Sequence, residues 1–220
     1  MKPYAHLFRP SLYTAAMIQV LETELDGRPL GPVLYVGVGG GVLLALLGSR
    51  GASELWGVDI NPDAIKAADE LLEVCAPQTT RHLLLGDLWN PLPAQKKFVM
   101  ILANLPHFPG AVPQKDRSVM WGGGDGRSLM SRFLRELADR LLPGGVAYLT
   151  HHDLVGLDET CEILKSTGLH FDTVWKATVF EPPERINAVS AEVLARNGSS
   201  LRTLGGYVFV DARILKVTFD

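Results

Sequence analysis

The sequence predicts an α/β fold built on a doubly wound, mostly parallel sheet. Three observations carry this prediction. Short runs rich in β-branched residues alternate with segments of helical periodicity along the chain. The first run ends in a glycine-rich turn, and later runs end in polar residues. No stretch repeats itself and none is of low complexity, so the segments are expected to assemble as ordinary alternating elements.

The first half of the chain supplies two strand and helix pairs. "GPVLYVGV" (31–38) is a short apolar run that ends in glycines, and "GVLLALLGS" (41–49) has helical spacing. "ELWGVDI" (54–60) is a second buried strand. "NPDAIKAADELLEVC" (61–75) opens with an Asn cap and a proline at the first helical position, which predicts a helix.

Three further strands and two helices follow. "RHLLLGD" (81–87) and "KFVMILAN" (97–104) are the third and fourth strands. A helix from about Arg127 to Leu142 is expected to stop at "PGG", and "GVAYLT" (145–150) follows as a fifth strand. A second helix is expected near 158–166.

Two longer strands close the chain, "HFDTVWKATVF" (170–180) and "YVFVDARILKVTF" (207–219). They predict an antiparallel arrangement at one edge of a seven-stranded sheet. Residues 181–206 separate them, which is long for an edge hairpin, and long loops at such positions are commonly functional. We expect this insertion to form part of the substrate side of a site.

Composition limits the class of protein. With 220 residues, 47% hydrophobic side chains and a net charge of -3, the chain can bury one full core, so a single domain over 1–220 is expected. The slight acidity, and the lack of a block of basic residues, do not favour nucleic-acid binding. No segment reads as a signal peptide or membrane span, which predicts a cytoplasmic protein without a membrane partner. Cys75 and Cys161 lack metal-ligand spacing, and no metal is expected.

Polar or glycine residues end four successive strands, at Gly37, Asp59, Asp87 and Asn104. In sheets of this kind ligands bind beyond the carboxyl ends of the strands. Any one of these residues could be a turn former or a helix cap, but together they favour a site.

The first turn carries Gly37, Gly39 and Gly41, where missing side chains let a ligand approach the backbone, although a tight turn with positive φ would need glycine too. Asp59 follows Gly37 by 22 residues, close to the spacing of a carboxylate that binds ribose hydroxyls. The sixth position of the dinucleotide fingerprint is Val42, so a dinucleotide is not favoured. Asp87 is placed to accept from an adenine amino group.

This pattern resembles class I S-adenosylmethionine-dependent methyltransferases, which have a Rossmann-like fold. The resemblance implies S-adenosyl-L-methionine as the cofactor. It departs from the family at Tyr35, where an acidic residue is common, because a phenol offers no countercharge. The cofactor contacts it implies are Thr14, Tyr35, Gly37, Gly39, Gly41, Asp59, Ile60, Asp87, Leu88 and Asn104.

The fourth strand ends in "NLPH" (104–107). An amide or aromatic amino nitrogen is a poor nucleophile because its lone pair is delocalised, and acceptors on its N–H bonds direct that lone pair at a methyl group. The side-chain carbonyl of Asn104 and the main-chain carbonyl of Leu105 can supply them, with Pro106 restricting the conformation of Leu105. The segment resembles the N-P-P-Y motif of methyltransferases that modify planar nitrogens.

Two further segments resemble the release-factor glutamine methyltransferases in particular. "GGGDGRSLMSRFLRELADRLLPGGVAYL" (122–149) matches their G-G-x-D-G-R stretch, and "FRPSLYT" (8–14) matches a P-x-x-x-T segment that caps the cofactor. The resemblance therefore implies that a helical segment within 1–30, with Pro10 and Thr14, lies near the cofactor.

The tetrapeptide itself departs from the motif, since Leu105 and His107 replace a proline and an aromatic. His107 could stack on the acceptor or act as a base, and it could also simply satisfy backbone groups. The catalytic candidates are thus Asn104, Leu105, Pro106 and His107. The substrate-side candidates, each with a plain structural alternative as cap, core or strand exit, are Phe108, Trp121, Asp125, Arg127 and His151.

The leading hypothesis is a methyltransferase acting on a nitrogen of a small molecule or a protein side chain. Alternatives are an RNA or DNA base amino methyltransferase, an aminopropyl transferase, and a domain that binds S-adenosylmethionine without catalysis. The string "GGGDG" occurs in aminopropyl transferases too, but there it follows the first strand, and an Asp serves as base where this chain has Asn104. The sequence does not give the oligomeric state.

Overall fold

The computed structural model describes residues 10–25, 30–110 and 121–219. The helices of this part are α1 (Leu12–Glu24), α2 (Val42–Ser49), α3 (Pro62–Cys75), α4 (Ser128–Arg140), α5 (Leu157–Ser166), α6 (Pro183–Ile186) and α7 (Ala191–Asn197). The strands are β1 (Pro32–Val36), β2 (Glu54–Asp59), β3 (Thr80–Leu85), β4 (Phe98–Ala103), β5 (Leu141–His152), β6 (Leu169–Glu181), β7 (Arg202–Leu204) and β8 (Tyr207–Phe219). Short 3-10 turns lie at Asp153–Val155 and Gly198–Ser200.

The described strands form one sheet in the order β3-β2-β1-β4-β5-β8-β6, with β7 paired to β8. Strands β1 to β5 are parallel, and β8 runs antiparallel between β5 and β6. The doubly wound, mostly parallel fold is therefore confirmed. The seven predicted strands are all present, and the three-residue β7 is an addition that lies within the predicted insertion.

Helix α4 ends at Arg140, two residues before the predicted end, and β5 begins at once at Leu141. Leu141 pairs with Phe98 before the bulge, and the ladder resumes at Val146 opposite Met100. The side chain of Leu141 is almost completely buried, which favours entry into the sheet at this residue.

The central strands are apolar on both sides because each side covers a separate core. Leu34 and Val36 of β1 belong to the cluster under α4 and α5, whereas Val33 and Tyr35 belong to the cluster under α1, α2 and α3. A smaller third cluster joins β8 and the insertion to the segment after β4, and its buried members are Phe108, Trp121, Leu154, Val189, Val193 and Val210.

Strand β1 is paired on both sides, and this sets the level of the strand ends. Val36 is opposite Val58 of β2 and Ala103 of β4. Gly37, Asp59 and Asn104 therefore leave the sheet side by side, at the point where the chain order reverses between β1 and β4.

Among the described residues, no helix combines the length and apolarity needed to cross a bilayer. The division of the chain into a single domain over 1–220 stays a prediction. Of the predicted segment 1–30, residues 1–9 and 26–29 lie outside the described residues.

Candidate active site

The turn after β1 depends on glycine at three positions. Gly37, Gly39 and Gly41 have φ values of +75°, +51° and +78°. A Cβ on Gly41 would lie 2.9 Å from the backbone of Ala68, so this glycine lets α2 and α3 approach each other. A Cβ on Gly37 would lie 3.8 Å from the main-chain oxygen of Asn104. Gly37 thus faces the segment that follows β4.

Asp59 holds this turn together. Its Oδ2 accepts a hydrogen bond from the Gly39 N–H at 2.9 Å, and its Oδ1 accepts one from the Asn61 N–H at 2.9 Å. Each carboxylate oxygen keeps a further lone pair for a ligand hydroxyl. The next residue, Ile60, is 74% exposed. A glycine turn, a carboxylate with spare acceptors and an uncovered apolar side chain fit the ribose and base of a nucleoside.

The side chains of Asp87 and Leu88 point to different places: that of Asp87 makes an ion pair, and that of Leu88 is buried in the core. The Oδ2 of Asp87 accepts a hydrogen bond from the Arg132 guanidinium at 2.6 Å, and Oδ1 takes no part in this ion pair. Leu88 is buried in the cluster under α4 and has a φ of +48°, a strained value for a side chain of this size. The strained backbone turns the chain sharply at the strand end, while the leucine side chain points into the core.

Tyr35 is buried and lies between Asp59 and Asn104. Burial, and then the negative charge of Asp59, raise the pKa of its phenol, and a hydrogen bond with the Asn104 side chain acts in the opposite direction. Tyr35 is therefore a neutral group in this structure. It cannot supply the countercharge that an acidic residue gives at this position.

The Asn104 side chain is held in one orientation. Its Oδ1 accepts a hydrogen bond from the hydroxyl of Thr150 at 3.0 Å, and its side chain also bonds Tyr35. Thr150 lies on β5, beside the end of β4, and is completely buried. Oδ1 has a second lone pair, which the half-buried position of Asn104 leaves available to a ligand.

The imidazole of His107 is buried and uncharged. Its Nδ1 lies 2.6 Å from the main-chain oxygen of Leu105, and because a carbonyl only accepts, Nδ1 carries the proton. Burial, and then the neighbouring His152, lower the pKa of His107, and the bond to Leu105 partly offsets them, so that the pKa is about 4. A neutral ring that orients a carbonyl is not poised as a base near neutral pH.

Sequence reasoning missed the partners of His107. The ring of Tyr13 lies 5.2 Å from the His107 ring, and the Tyr13 hydroxyl donates to the His151 main-chain oxygen at 3.3 Å. The ring of His152 lies 6.4 Å away. Tyr13 precedes Thr14 in the predicted capping segment, and this was the available signal. Thr14 itself forms a capping box with Ser11 at the start of α1.

The ring of His152 donates a hydrogen bond to the buried carboxylate of Glu181, where β5 and β6 end. The Leu154 N–H donates to Nδ1 of His152 at 3.4 Å, so Nε2 is the donor to Glu181, at 3.2 Å. The second carboxylate oxygen of Glu181 accepts from Arg185 at 3.3 Å. This contact ties the beginning of the insertion to the buried layer beneath residues 104–107, which we call the acceptor segment.

Arg127 and His151, predicted on the substrate side, both point inward. The guanidinium of Arg127 donates to the main-chain oxygens of Val155 and Gly156 at 2.5 and 3.0 Å and pairs with a carboxylate of α5. His151 is fully buried and its Nε2 lies 3.1 Å from the Thr160 hydroxyl. The structure therefore does not bring either side chain into the cleft.

The other substrate-side candidates differ in exposure: Asp125 is exposed, whereas Phe108 and Trp121 are buried. The Oδ1 of Asp125 accepts from the Arg127 N–H at 2.9 Å, which makes an Asx turn just before α4 and not a helix cap. Phe108 and Trp121 are almost fully buried, with ring centroids 5.2 Å apart, and belong to the third cluster. They lie directly behind the acceptor segment, where they shape its wall.

The glycine-rich segment 122–126 supports the acceptor segment from behind. A Cβ on Gly122 would lie 2.5 Å from the Gly126 oxygen, 2.6 Å from the His107 Cα and 2.8 Å from the Pro106 oxygen. A Cβ on Gly126 would lie 2.5 Å from the His107 oxygen. All four of these atoms belong to the main chain and cannot move aside as a side chain can. Segment 122–126 therefore contacts the acceptor segment only because Gly122 and Gly126 lack side chains.

No protein-family model matches the chain. Over 163 residues it is 33% identical to a candidate protein N5-glutamine methyltransferase of Methanocaldococcus jannaschii, and the match covers 72% of this chain and 80% of that protein. The chain belongs to the protein N5-glutamine methyltransferase family. It is an S-adenosylmethionine-dependent N-methyltransferase, and the predicted family, cofactor and reaction class are confirmed.

Two other relatives of the enzyme differ in how much of them is matched. The human methyltransferase HEMK2 is 29% identical over 180 residues, which are 77% of this chain and 83% of that protein. The release factor glutamine methyltransferase of Gloeobacter violaceus is 29% identical over 127 residues, which are 53% of this chain but only 44% of that protein.

Solved structures give the same fold for the enzyme. The Mtq2–Trm112 complex of E. cuniculi contains a chain that superposes with a TM-score of 0.62 at 18% identity, over 97% of this chain and 99% of that one. The magnesium protoporphyrin IX methyltransferase of Synechocystis superposes with a TM-score of 0.56 at 17% identity, over 94% of this chain and 77% of that one.

Gly122→Ala should impair the enzyme far more than Gly124→Ala. The added methyl group of the first variant meets backbone at 2.5 to 2.8 Å, whereas nothing lies within 4 Å of a Cβ on Gly124. Overpacking of this kind costs about 1–3 kcal/mol. We expect a lower free energy of unfolding in urea, together with a lower kcat, for Gly122→Ala only. Equal behaviour of the two variants would contradict the support role.

The free energy of unfolding should fall as the pH drops from about 6.5 to about 4, partly because of His107. Its folded pKa of about 4 lies below the ordinary value of 6.5, so the unfolded chain takes up the proton first. A shift of this size makes His107 account for about 2 to 3 kcal/mol of the loss by pH 4.5. His107→Gln should reduce the difference in unfolding free energy between pH 7 and pH 4.5. An unchanged difference would show that the ring is not buried in its neutral form.

Proposed function

We propose that the enzyme methylates the side-chain amide nitrogen of a glutamine in a peptide-chain release factor. The observation that carries the proposal is the fixed Asn104 carbonyl beside the Gly37 turn. Thr150 and Tyr35 both bond its side chain, and Gly37 lies against its backbone. Membership of the N5-glutamine family supports the glutamine, and the names of the release-factor enzymes among the relatives support the protein that carries it.

The relatives that this chain matches over most of their length favour one kind of release factor as the substrate. The chain spans 83% of human HEMK2 and 99% of the Mtq2 chain, but 44% of the Gloeobacter enzyme. The Mtq2–Trm112 complex is described as responsible for methylation of the termination factor eRF1. We therefore propose an eRF1-type factor as the substrate.

The acceptor groups we propose are Asn104 Oδ1 and the Leu105 main-chain oxygen. An amide nitrogen resists methylation because its lone pair is shared with the carbonyl, and two acceptors on its N–H bonds turn that lone pair toward the methyl group. The His107 N–H already occupies one lone pair of the Leu105 oxygen and so fixes its direction. His107 is thus proposed as a positioning residue, and Pro106 as the restraint on Leu105.

S-adenosylmethionine, when bound, supplies the methyl group on a positively charged sulfur. We propose that Asp59 accepts from the ribose hydroxyls, that exposed Ile60 covers one face of the base, and that the free oxygen of Asp87 accepts from the adenine amino group. Leu88 acts through its strained backbone. The remaining proposed contacts are Thr14, Tyr35, Gly37, Gly39, Gly41 and Asn104.

The helical part of the insertion 181–206, with α6 and α7, is proposed as one wall of the acceptor cleft. Val189 and Val193 of this segment pack in the third cluster with Phe108 and Trp121, directly behind the acceptor segment. The buried Glu181 contact anchors its beginning. Phe108 and Trp121 therefore act by shaping the cleft, while Arg127 and His151 support it from within, and exposed Asp125 lies at its rim.

Asn104→Ala should lower kcat on the order of 100-fold while changing the dissociation constant of S-adenosylmethionine much less, because it removes an acceptor needed by the reacting nitrogen. Single-turnover kinetics and calorimetric titration measure the two effects separately. An equal loss of both would contradict the role assigned to Asn104.

Thr150→Val should lower kcat about tenfold, because it removes a hydrogen bond that orients Asn104 and keeps the size of the side chain. Thr167→Val is the matched control, since Thr167 bonds a carbonyl at the end of α5. If both variants keep wild-type kcat, Thr150 does not orient the acceptor group.

Incubation of the purified enzyme with methyl-labelled S-adenosylmethionine and an eRF1-type factor should place the label on one glutamine, as shown by peptide mass spectrometry. A bacterial release factor and total RNA serve as competing substrates. Because Mtq2 was solved in complex with Trm112, the reaction is run with and without a Trm112-type protein. Label on RNA, or on no glutamine in either reaction, would refute the proposed function.

A further inference from the structure

The β6–β8 ladder projects beyond the rest of the sheet on the side of the active site. The last pair between β5 and β8 is His152 opposite Ala212. The β6–β8 ladder continues past Ala212 for four more pairs, to Glu181 opposite Val208. Four residues of strand span about 13 Å. The projecting ladder and β7 therefore form a wing next to the acceptor cleft.

One face of this wing carries large apolar side chains in contact with water. The register places Phe180 opposite Phe209, and Tyr207 opposite Leu204 of β7. The rings of Phe180 and Tyr207 are 5.9 Å apart, and those of Phe180 and Phe209 are 6.0 Å apart. Phe180, Leu204 and Tyr207 are 47%, 67% and 62% exposed. We call Phe180, Leu204, Tyr207 and Phe209 the hairpin patch.

The same face carries excess positive charge beside the hairpin patch. Lys176 and Arg202 share a single carboxylate, Asp211, at 2.7 and 3.4 Å, while Arg213 pairs with Asp153 through two hydrogen bonds. Three cations thus meet two carboxylates. Asp211 is buried, whereas the side chains of Lys176 and Arg202 are 44% and 59% exposed. The chain as a whole has a net charge of -3, so this face differs in sign from the rest.

The opposite face of the wing is continuous with the acceptor cleft. Val179 and Val210 alternate with the patch residues along their strands and pack in the third cluster with Phe108. Phe108 directly follows the acceptor segment. A bound protein chain that continues from the cleft over the tip of the wing therefore meets the hairpin patch on the other face.

We propose that the hairpin patch, with Lys176 and Arg202, is a docking surface for the protein substrate, and that it binds a segment away from the methylated glutamine that carries apolar and acidic side chains. This inference rests on the proposed function, because only a protein substrate is long enough to occupy both places. Exposed aromatic side chains next to an exposed arginine are typical of the residues that dominate protein–protein binding energy.

The test compares the whole protein substrate with a short peptide centred on its methylated glutamine. The variants are Phe180→Ser combined with Tyr207→Ser, and Arg202→Glu. The controls are Val74→Ser, which changes an exposed apolar residue of α3, and Arg50→Glu, which reverses an exposed charge after α2. We expect each wing variant to raise KM for the whole protein about tenfold. The kcat of the wing variants, and their kcat/KM for the peptide, should stay within twofold of wild type. For both control enzymes, KM, kcat and kcat/KM should all stay within twofold of wild type.

Salt gives an independent measurement. KM of the wild-type enzyme for the whole protein should rise with ionic strength, and Arg202→Glu should weaken that dependence. Unchanged KM values, an equal loss with protein and peptide, or a change of sedimentation that shows the patch joining two copies of the chain would each overturn the proposal. If another protein than a release factor carries the label and the wing variants affect it, the proposed function fails while the docking surface stands. If no protein is labelled, both fail.

Discussion

The pairing of β1 with β2 on one side and β4 on the other is the constraint on which the site depends. It brings a glycine, a carboxylate and a carboxamide to one level of the sheet, although they are distant in the sequence. Hydrogen bonds then hold each polar group in place: two main-chain N–H groups on Asp59, and the Thr150 hydroxyl and Tyr35 on Asn104. The rigid sheet supplies positioning, which is what transfer from an already activated methyl group requires.

The layer beneath the acceptor segment is polar and yet largely uncharged. His107 and His151 are buried, and burial lowers the pKa of each ring, while the phenol of Tyr13 is held neutral because burial raises its pKa. A neutral amide nucleophile needs no strong base in the ground state, so acceptors of fixed direction matter more than proton transfer. The replacement of an aromatic by His107 fits this arrangement, because the ring both fills space and holds a carbonyl.

The sequence predicted the order and type of the strands because β-branched runs and glycine turns are local signals. It also located Gly37, Asp59 and Asn104, since residues at strand ends follow from the fold class. It could not show that Arg127 and His151 turn inward, because the same residue types serve equally at a cleft. The contact of Glu181 with His152 joins the ends of two strands across a long separation in sequence, and no local pattern carries that information. Tyr13 stands beside Thr14 in the predicted capping segment, but that position alone does not show that its ring contacts His107.

The contact between the glycine-rich segment 122–126 and the acceptor segment separates positions whose residue can change in evolution from positions whose residue cannot. Side chains of the tetrapeptide face the cleft or the buried layer and can be exchanged, as Leu105 and His107 are here. Gly122 and Gly126 meet backbone, so no exchange at those two positions can be absorbed by repacking. A search for distant relatives that share this acceptor geometry is therefore better anchored on the spacing of these two glycines than on the letters of the tetrapeptide.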